Sequence, residues 1–222
     1  MEEHTVKITT TGSLTHDVRF FRVEKPAGYA FTPGQATDVS VNTPEQKNRK
    51  RPFTFTGQNH DPYLEFIIKI YPSHNGVTNE IEKLGPGDEL IIRNAWGAIS
   101  YKGPGVFIAG GAGITPFVSI FRDLRTKNLA RGNRLIFANK TKADIILEEE
   151  FRELLGPDFI NILSEEDHPG YSYGMISEEF LRSVISDFNT NFYLCGPPPM
   201  MAAVKKQLTD LGVEKNSFTL EF

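Results

Sequence analysis

Residues 192–201 read Phe-Tyr-Leu-Cys-Gly-Pro-Pro-Pro-Met-Met, and no other stretch restricts the fold as tightly. Phe192-Tyr193-Leu194 is an apolar run suited to a buried strand. Gly196 to Pro199 end it abruptly, because proline cannot donate to a strand ladder. Proline is tolerated in the first turn of a helix, so Ala202 to Leu211 is free to begin one at once. The chain's single cysteine, Cys195, therefore stands at the carboxyl end of a strand, against a helix start. Open α/β sheets bind their ligands at that place. Taken alone, a lone cysteine there reads first as a small buried hydrophobe.

A second motif changes that reading. Val106-Phe107-Ile108-Ala109 is a short apolar strand, and Gly110-Gly111-Ala112-Gly113-Ile114-Thr115-Pro116 turns it into a helix running roughly to Leu129. Glycines allow close approach to a phosphate, and a helix amino end favours negative charge. Thr115 suits a cap and Pro116 the first helical turn. The spacing is not the usual dinucleotide G-x-G-x-x-G. Further strands are expected at Arg134–Asn139, Phe159–Leu163, Phe192–Cys195 and Ser217–Phe222, with helices at Glu148–Leu155 and Ser177–Ile185. Such alternation implies βαβ units and a parallel sheet covered on both faces.

The amino-terminal half reads differently. Strand-like runs occur at Val6–Ile8, Val18–Val23, Thr37–Val41, Arg51–Thr56, Tyr63–Tyr71 and Glu89–Arg93. Pro33-Gly34, Asn59–Pro62 and Gly85–Asp88 separate several of them as turns. Many short strands at near-regular spacing argue for a small all-β barrel or sandwich. The longest irregular segment is expected at Ser164–Tyr173, followed by Asn42–Lys50.

Gly-Gly-Ala-Gly-Ile-Thr-Pro at 110–116, followed by Cys-Gly-Pro-Pro-Pro-Met at 195–200, resembles the ferredoxin–NADP reductase superfamily. Phe137-Ala138-Asn139-Lys140-Thr141 with Asp144-Ile145-Ile146-Leu147 is similar to its cytochrome b5 reductase and nitrate reductase branch. Arg51-Pro52-Phe53-Thr54 matches the family pattern of arginine, any residue, aromatic, serine or threonine. The resemblance implies an antiparallel Greek-key flavin barrel over residues 1–101, then a Rossmann-like nucleotide-binding domain over 102–222. It implies bound FAD and NADH or NADPH as donor, the branch favouring NADH, with Lys140 and Lys142 leaving NADPH open.

The resemblance also assigns roles. Arg51 would hold flavin phosphates through its fork of donors. Phe53 would wall the flavin ring, and Thr54 would offer a hydroxyl to the ring nitrogen that takes part in transfer. Strand alternation sets Phe53 and Thr54 on opposite faces, and in the family a bend lets both line the flavin. Ile67, Lys69 and Tyr71 lie where the family's flavin-lining strand runs, and Gly76-Val77-Thr78 where a second phosphate site stands. Gly110, Gly111, Gly113, Ile114, Thr115 and Pro116 would take the nicotinamide cofactor's pyrophosphate. Asn139, Cys195, Gly196, Pro197 and Met200 would border the same cofactor, with Cys195 beside the nicotinamide. Thr54 and Cys195 are the expected catalytic pair, neither acting as a nucleophile.

There are departures from the pattern. Asn94-Ala95-Trp96-Gly97 replaces a glycine-proline-x-glycine turn, making Trp96 a hydrophobic plug or part of an acceptor surface. Phe55 replaces a frequent proline. Phe222 is a candidate to stack on the flavin, while Glu221 is one place out of position for a proton relay.

Composition narrows the partners. A length of 222 residues suits two domains of about a hundred residues each. A net charge of −4 argues against nucleic acid, and no run approaches a membrane span. No amino-terminal signal pattern is seen, giving an expectation of a cytoplasmic protein. One cysteine excludes an internal disulfide and a four-cysteine iron–sulfur cluster. The five histidines show no metal-ligand spacing. Electrons are thus expected to leave for a separate flavodoxin, ferredoxin, cytochrome or oxygenase component. The alternatives are a relay or redox-sensing subunit of a larger complex, and a free-flavin reductase.

Overall fold

The computed structural model describes residues 2–71 and 76–220. They form two compact units: residues 1–100 with Thr115–Asp123, and residues 101–114 with 124–222.

The first unit holds β1 (Glu3–Ser13), β2 (Val18–Glu24), β3 (Ala36–Val41), β4 (Arg51–Thr54), β5 (Tyr63–Lys69) and β6 (Glu89–Arg93). They pair antiparallel in the order β4-β3-β6-β1-β2-β5. Past the end of β4, Phe55 bridges Phe66 of β5 and the Thr56 amide donates to the Glu65 carbonyl at 2.8 Å. That contact joins the two ends of the sheet and nearly closes a barrel. Alternation drives the closure: Leu64, Phe66 and Ile68 of β5 and Phe21 and Val23 of β2 point into one apolar core. Phe55 sits at its centre, stacked on Phe31 with ring centroids 4.3 Å apart. The aromatic ring at this position therefore belongs to the barrel core. One short helix, α1 (Val77–Glu82), packs Val77 and Ile81 onto it.

The second unit is a sheet of β7 (Gly105–Gly110), β8 (Arg134–Asn139), β9 (Phe159–Leu163), β10 (Ser172–Tyr173), β11 (Asn191–Cys195) and β12 (Phe218–Leu220). All pairings are parallel, in the order β10-β9-β8-β7-β11-β12. Every residue of β7 is buried, as expected of a central parallel strand. Its helices are α3 (Glu148–Leu155), α4 (Glu178–Val184) and α5 (Pro198–Asp210). Three glutamates open α3, where the helix dipole favours them. Ser177 caps α4 by accepting from the Phe180 amide at 3.1 Å.

Several boundaries differ from expectation. β1 extends well beyond Val6–Ile8, and β4 and β5 each stop two residues early. Helix α2 (Thr115–Thr126) stops before Leu129, because Asn128 adopts a left-handed φ of 57°. Helix α5 starts at Pro198, not Ala202: Pro198 and Pro199 lie inside its first turn, where their missing amides cost nothing. Ser172–Tyr173, expected within an irregular segment, forms an edge strand on β9.

Candidate functional site

In the barrel unit, β4 presents the arginine motif. Arg51 is exposed, and among the described residues its guanidinium donates only to the neighbouring Lys50 carbonyl, at 2.9 Å. Its fork of donors is left for an anion. Pro52 is exposed and pairs with Asp38. The alternation expected of an ideal strand is kept: Phe53 packs partly buried against the core, and Thr54 points to the other face, opposite Ala36.

The flavin-lining candidates of β5 are less uniform. Ile67 is buried. Lys69 is held by Asp17, Nζ to Oδ2 2.8 Å. Burial raises the Asp17 carboxyl and Lys69 lowers it, with a net shift below its usual value. Tyr71 is 41% exposed. Gly76 is the amino cap residue of α1 without a side-chain cap, Val77 is buried and Thr78 is half-buried. Glu221 and Phe222 lie outside the described residues.

One barrel feature escaped sequence reasoning. Glu65 of β5 is 4% exposed yet ionised, gripped by Arg22 Nε at 2.9 Å and Arg122 Nη1 at 2.7 Å. Thr56 Oγ1 donates to it at 3.1 Å. Burial pushes the carboxyl up, but the two guanidiniums outweigh that and hold it below the usual range. Arg122 also donates to the Thr56 carbonyl at 2.9 Å. The available signal was one acidic residue inside the apolar run Leu64–Ile68.

In the nucleotide unit, the glycine turn and the cysteine motif are packed on each other. β7 and β11 are neighbours, with Ala109 opposite Cys195. The 3-10 turn Gly111–Ile114 follows β7 directly. A methyl on Gly113 would lie 2.3 Å from the Cys195 carbonyl oxygen, and one on Gly110 2.5 Å from the Met200 sulfur. A methyl on Gly196 would meet the Gly110 amide at 3.1 Å. Gly111 has a φ of 50° with open space where a side chain would be, so its backbone is free to face a ligand. Ile114 is fully buried beneath the turn; Thr115 and Pro116, both buried, are the first residues of α2. Cys195 is half-buried and unbridged, beside half-buried Gly196 and exposed Pro197.

Asn139 ends β8, next to β7 in the sheet. Its side chain is buried, and among the described residues neither amide atom has a hydrogen-bond partner. A buried orphan amide at the carboxyl end of a parallel strand is the kind of group a bound ligand satisfies. Beyond it, Thr141 and Asp144 form a capping box. Glu165 holds Lys140 Nζ at 2.8 Å, and Glu166 accepts from the Lys142 amide at 2.7 Å. A free fork in one unit, and an open glycine turn with an orphan amide in the other, fit an FAD phosphate and a nicotinamide dinucleotide respectively. No helix among the described residues is long and apolar enough to cross a membrane.

Residues 5–101 match the oxidoreductase FAD-binding domain and residues 107–206 the oxidoreductase NAD-binding domain. NADH-cytochrome b5 reductase 1 of Neosartorya fischeri is 32% identical over 228 residues, covering 91% of this chain and 72% of that protein. The reductase component of propane 2-monooxygenase from Rhodococcus jostii is 28% identical, covering 95% of this chain. The chain spans 60% of the length of that component. Among solved structures, the FAD/NAD-binding domain of a Vibrio cholerae nitric oxide dioxygenase aligns with a TM-score of 0.87 at 21% identity, covering 98% and 97% of the two chains. A Neisseria gonorrhoeae ferredoxin NADP+ reductase with bound FAD and NADP aligns at 0.86 and 19% identity, covering 100% and 98%.

Proposed function

We propose, from the premise that this chain belongs to the ferredoxin–NADP reductase superfamily and carries its FAD- and NAD-binding domains, that it takes electrons from NADH and passes them to a separate redox protein. The seating of Gly113 on the Cys195 carbonyl carries this reading, because it fuses the phosphate turn and the cysteine into one site. FAD, when bound, supplies the conversion of a two-electron donation into single-electron steps.

The chain's own residues bind and orient. Arg51 pairs with a flavin phosphate and Thr54 addresses a ring nitrogen with its hydroxyl, while Phe53, expected to wall the ring, faces the barrel core and supports the strand from the other side. The Gly110–Ile114 turn cradles the nucleotide pyrophosphate, Asn139 satisfies its amide on the same ligand, and Cys195 with Gly196 borders the nicotinamide. Tyr71 and Thr78 complete the flavin side, where Lys69 acts from its ion pair with Asp17. NADH is favoured over NADPH because Glu165 already occupies Lys140 and Glu166 the Lys142 amide, so an added phosphate meets carboxylates. The names of the relatives suggest a cytochrome or an oxygenase component as the acceptor, and the family resemblance adds a flavodoxin or ferredoxin.

Purified protein should show flavin absorption bands that NADH bleaches anaerobically faster than NADPH does. The Cys195→Ala variant should keep its flavin and bleach more slowly. A colourless protein that FAD cannot reconstitute defeats the proposal, and unchanged kinetics in the variant remove the role of Cys195.

A further inference from the structure

The chain has one tryptophan, and it is conspicuously placed. Trp96 is 42% exposed, and among the described residues its indole meets no aromatic ring and no hydrogen-bond acceptor. The register explains how it comes to be outside. Ser40 of β3 pairs with Ile91 of β6, and Val41 with Leu90. Continuing that register would set Ala36 opposite Ala95. Ala36 instead pairs with Trp96, through backbone hydrogen bonds of 2.7 and 2.8 Å. One extra residue therefore lies between Arg93 and Trp96, which is a β-bulge.

The bulge decides the tryptophan's direction. Leu90 and Ile92 of the same strand point into the barrel core and are fully buried. In a strand of the same length that alternated regularly, Trp96 would follow them inward; the bulge shifts the alternation by one and turns it outward. The bulge is also firmly built. The Thr37 hydroxyl donates to the Arg93 carbonyl at 2.6 Å and accepts from the Arg93 amide at 2.9 Å. The Tyr29 hydroxyl donates to the same carbonyl at 2.5 Å. Thr37 is fully buried and Tyr29 nearly so, which fixes the kink from inside the core.

On its other side Ala36 pairs with Thr54. Directly opposed residues on neighbouring strands share a face, so Thr54, Ala36 and Trp96 stand in one row. The residue between them, Ala36, carries only a methyl group. Two strand spacings put the outer backbones about 10 Å apart, within reach of one tricyclic ring and a large aromatic side chain.

We propose that Trp96 is a flavin-binding residue: the bulge turns its indole onto the face of Thr54, where it flanks the ring system that Thr54 addresses. The inference rests on the reading of Thr54 as a flavin residue. The indole supplies a flat apolar surface and an N–H donor that no described residue accepts from. It is a positioning and affinity element, and it takes no part in the transfer itself.

The test uses the whole chain with FAD as the probe. Trp96→Leu should raise the FAD dissociation constant by up to about tenfold, the worth of one aromatic contact. It should also raise the emission of saturating bound FAD several-fold, since an adjacent indole quenches flavin emission, with Trp96→Phe intermediate. A second measurement needs no variant. In ¹⁵N-labelled wild-type protein the single indole N–H resonance should shift on FAD addition. Unchanged affinity and emission in Trp96→Leu, or an indole resonance that stays in place while FAD binds, overturns the assignment of Trp96 alone. Failure of the wild-type protein to bind FAD overturns the flavin reading of Thr54 and the present inference with it.

Discussion

In the nucleotide unit a carbonyl oxygen, that of Cys195, lies 2.3 Å from where a methyl on Gly113 would stand. In the barrel unit the corresponding constraint is a charge: the buried carboxylate of Glu65 between two arginines. The first site keeps its shape because side chains are missing, the second because polar groups are paired. Steric exclusion is intolerant of added atoms and indifferent to protons. Ionic pairing has the reverse sensitivities, since it accepts changes of volume elsewhere but depends on a carboxylate staying ionised.

The largest expected effect tests the barrel. Glu65→Gln leaves Arg22 and Arg122 facing an amide, and should cost about 3 kcal/mol in denaturant unfolding, the low end for a broken buried pair. Arg22 is 40% exposed, and solvent screening pulls the value down. The same variant should alter the acid response. The folded carboxyl lies below its unfolded value of 4.5, so its stabilisation is complete above about pH 4.5 and disappears as pH falls through the folded value. Acid unfolding should be shallower in Glu65→Gln than in wild type, and identical acid profiles would show that Glu65 is not what couples the barrel to protons.

The next effect tests the nucleotide unit. Gly113→Ala should cost about 1–3 kcal/mol through overpacking and should weaken NADH binding, with no dependence on pH between 5 and 8. A fully stable variant with normal NADH affinity would mean that the turn yields easily, and the contrast between the units would fail. The smallest effect concerns Glu165 and Glu166. Replacing both by glutamine removes the negative charge beside Lys140 and the Lys142 amide, and should raise the rate of bleaching by NADPH relative to NADH. An unchanged ratio would detach these carboxylates from donor choice.

The same contrast governs what could be read from the sequence. The six barrel strands follow from strand-like runs between turn signals, and five of the six parallel strands from apolar runs, because both signals are local; the edge pair Ser172-Tyr173 carries no such signal. The packing of Gly113 on Cys195 was implied by two motifs, since a glycine marks a place where a side chain cannot be. The buried charge was hidden. Alternation in Leu64-Glu65-Phe66 sends Glu65 away from the core, which ordinarily means into water, and its covering Arg122 comes from 57 residues away. The bulge before Trp96 was hidden too. Asn94-Ala95-Trp96-Gly97 contains a turn glycine but nothing that counts residues against β3, and the Thr37 hydroxyl that fixes the kink is remote in sequence. The prolines of α5 misled in a smaller way, marking a stop where they also made a start.

Residues Thr115–Asp123 are grouped with the barrel although the chain has by then left it and built β7. Ser119 Oγ accepts from the Gly34 amide at 2.8 Å, its carbonyl accepts from Gln58 Nε2 at 3.0 Å, and Arg122 completes the grip on Glu65. The flavin half is thus not an exchangeable module ending near residue 101. A fragment cut there would carry an amide and a carboxylate stripped of their buried partners, and a recombinant chimera that swaps nucleotide halves would have to carry this nine-residue stretch along with its barrel.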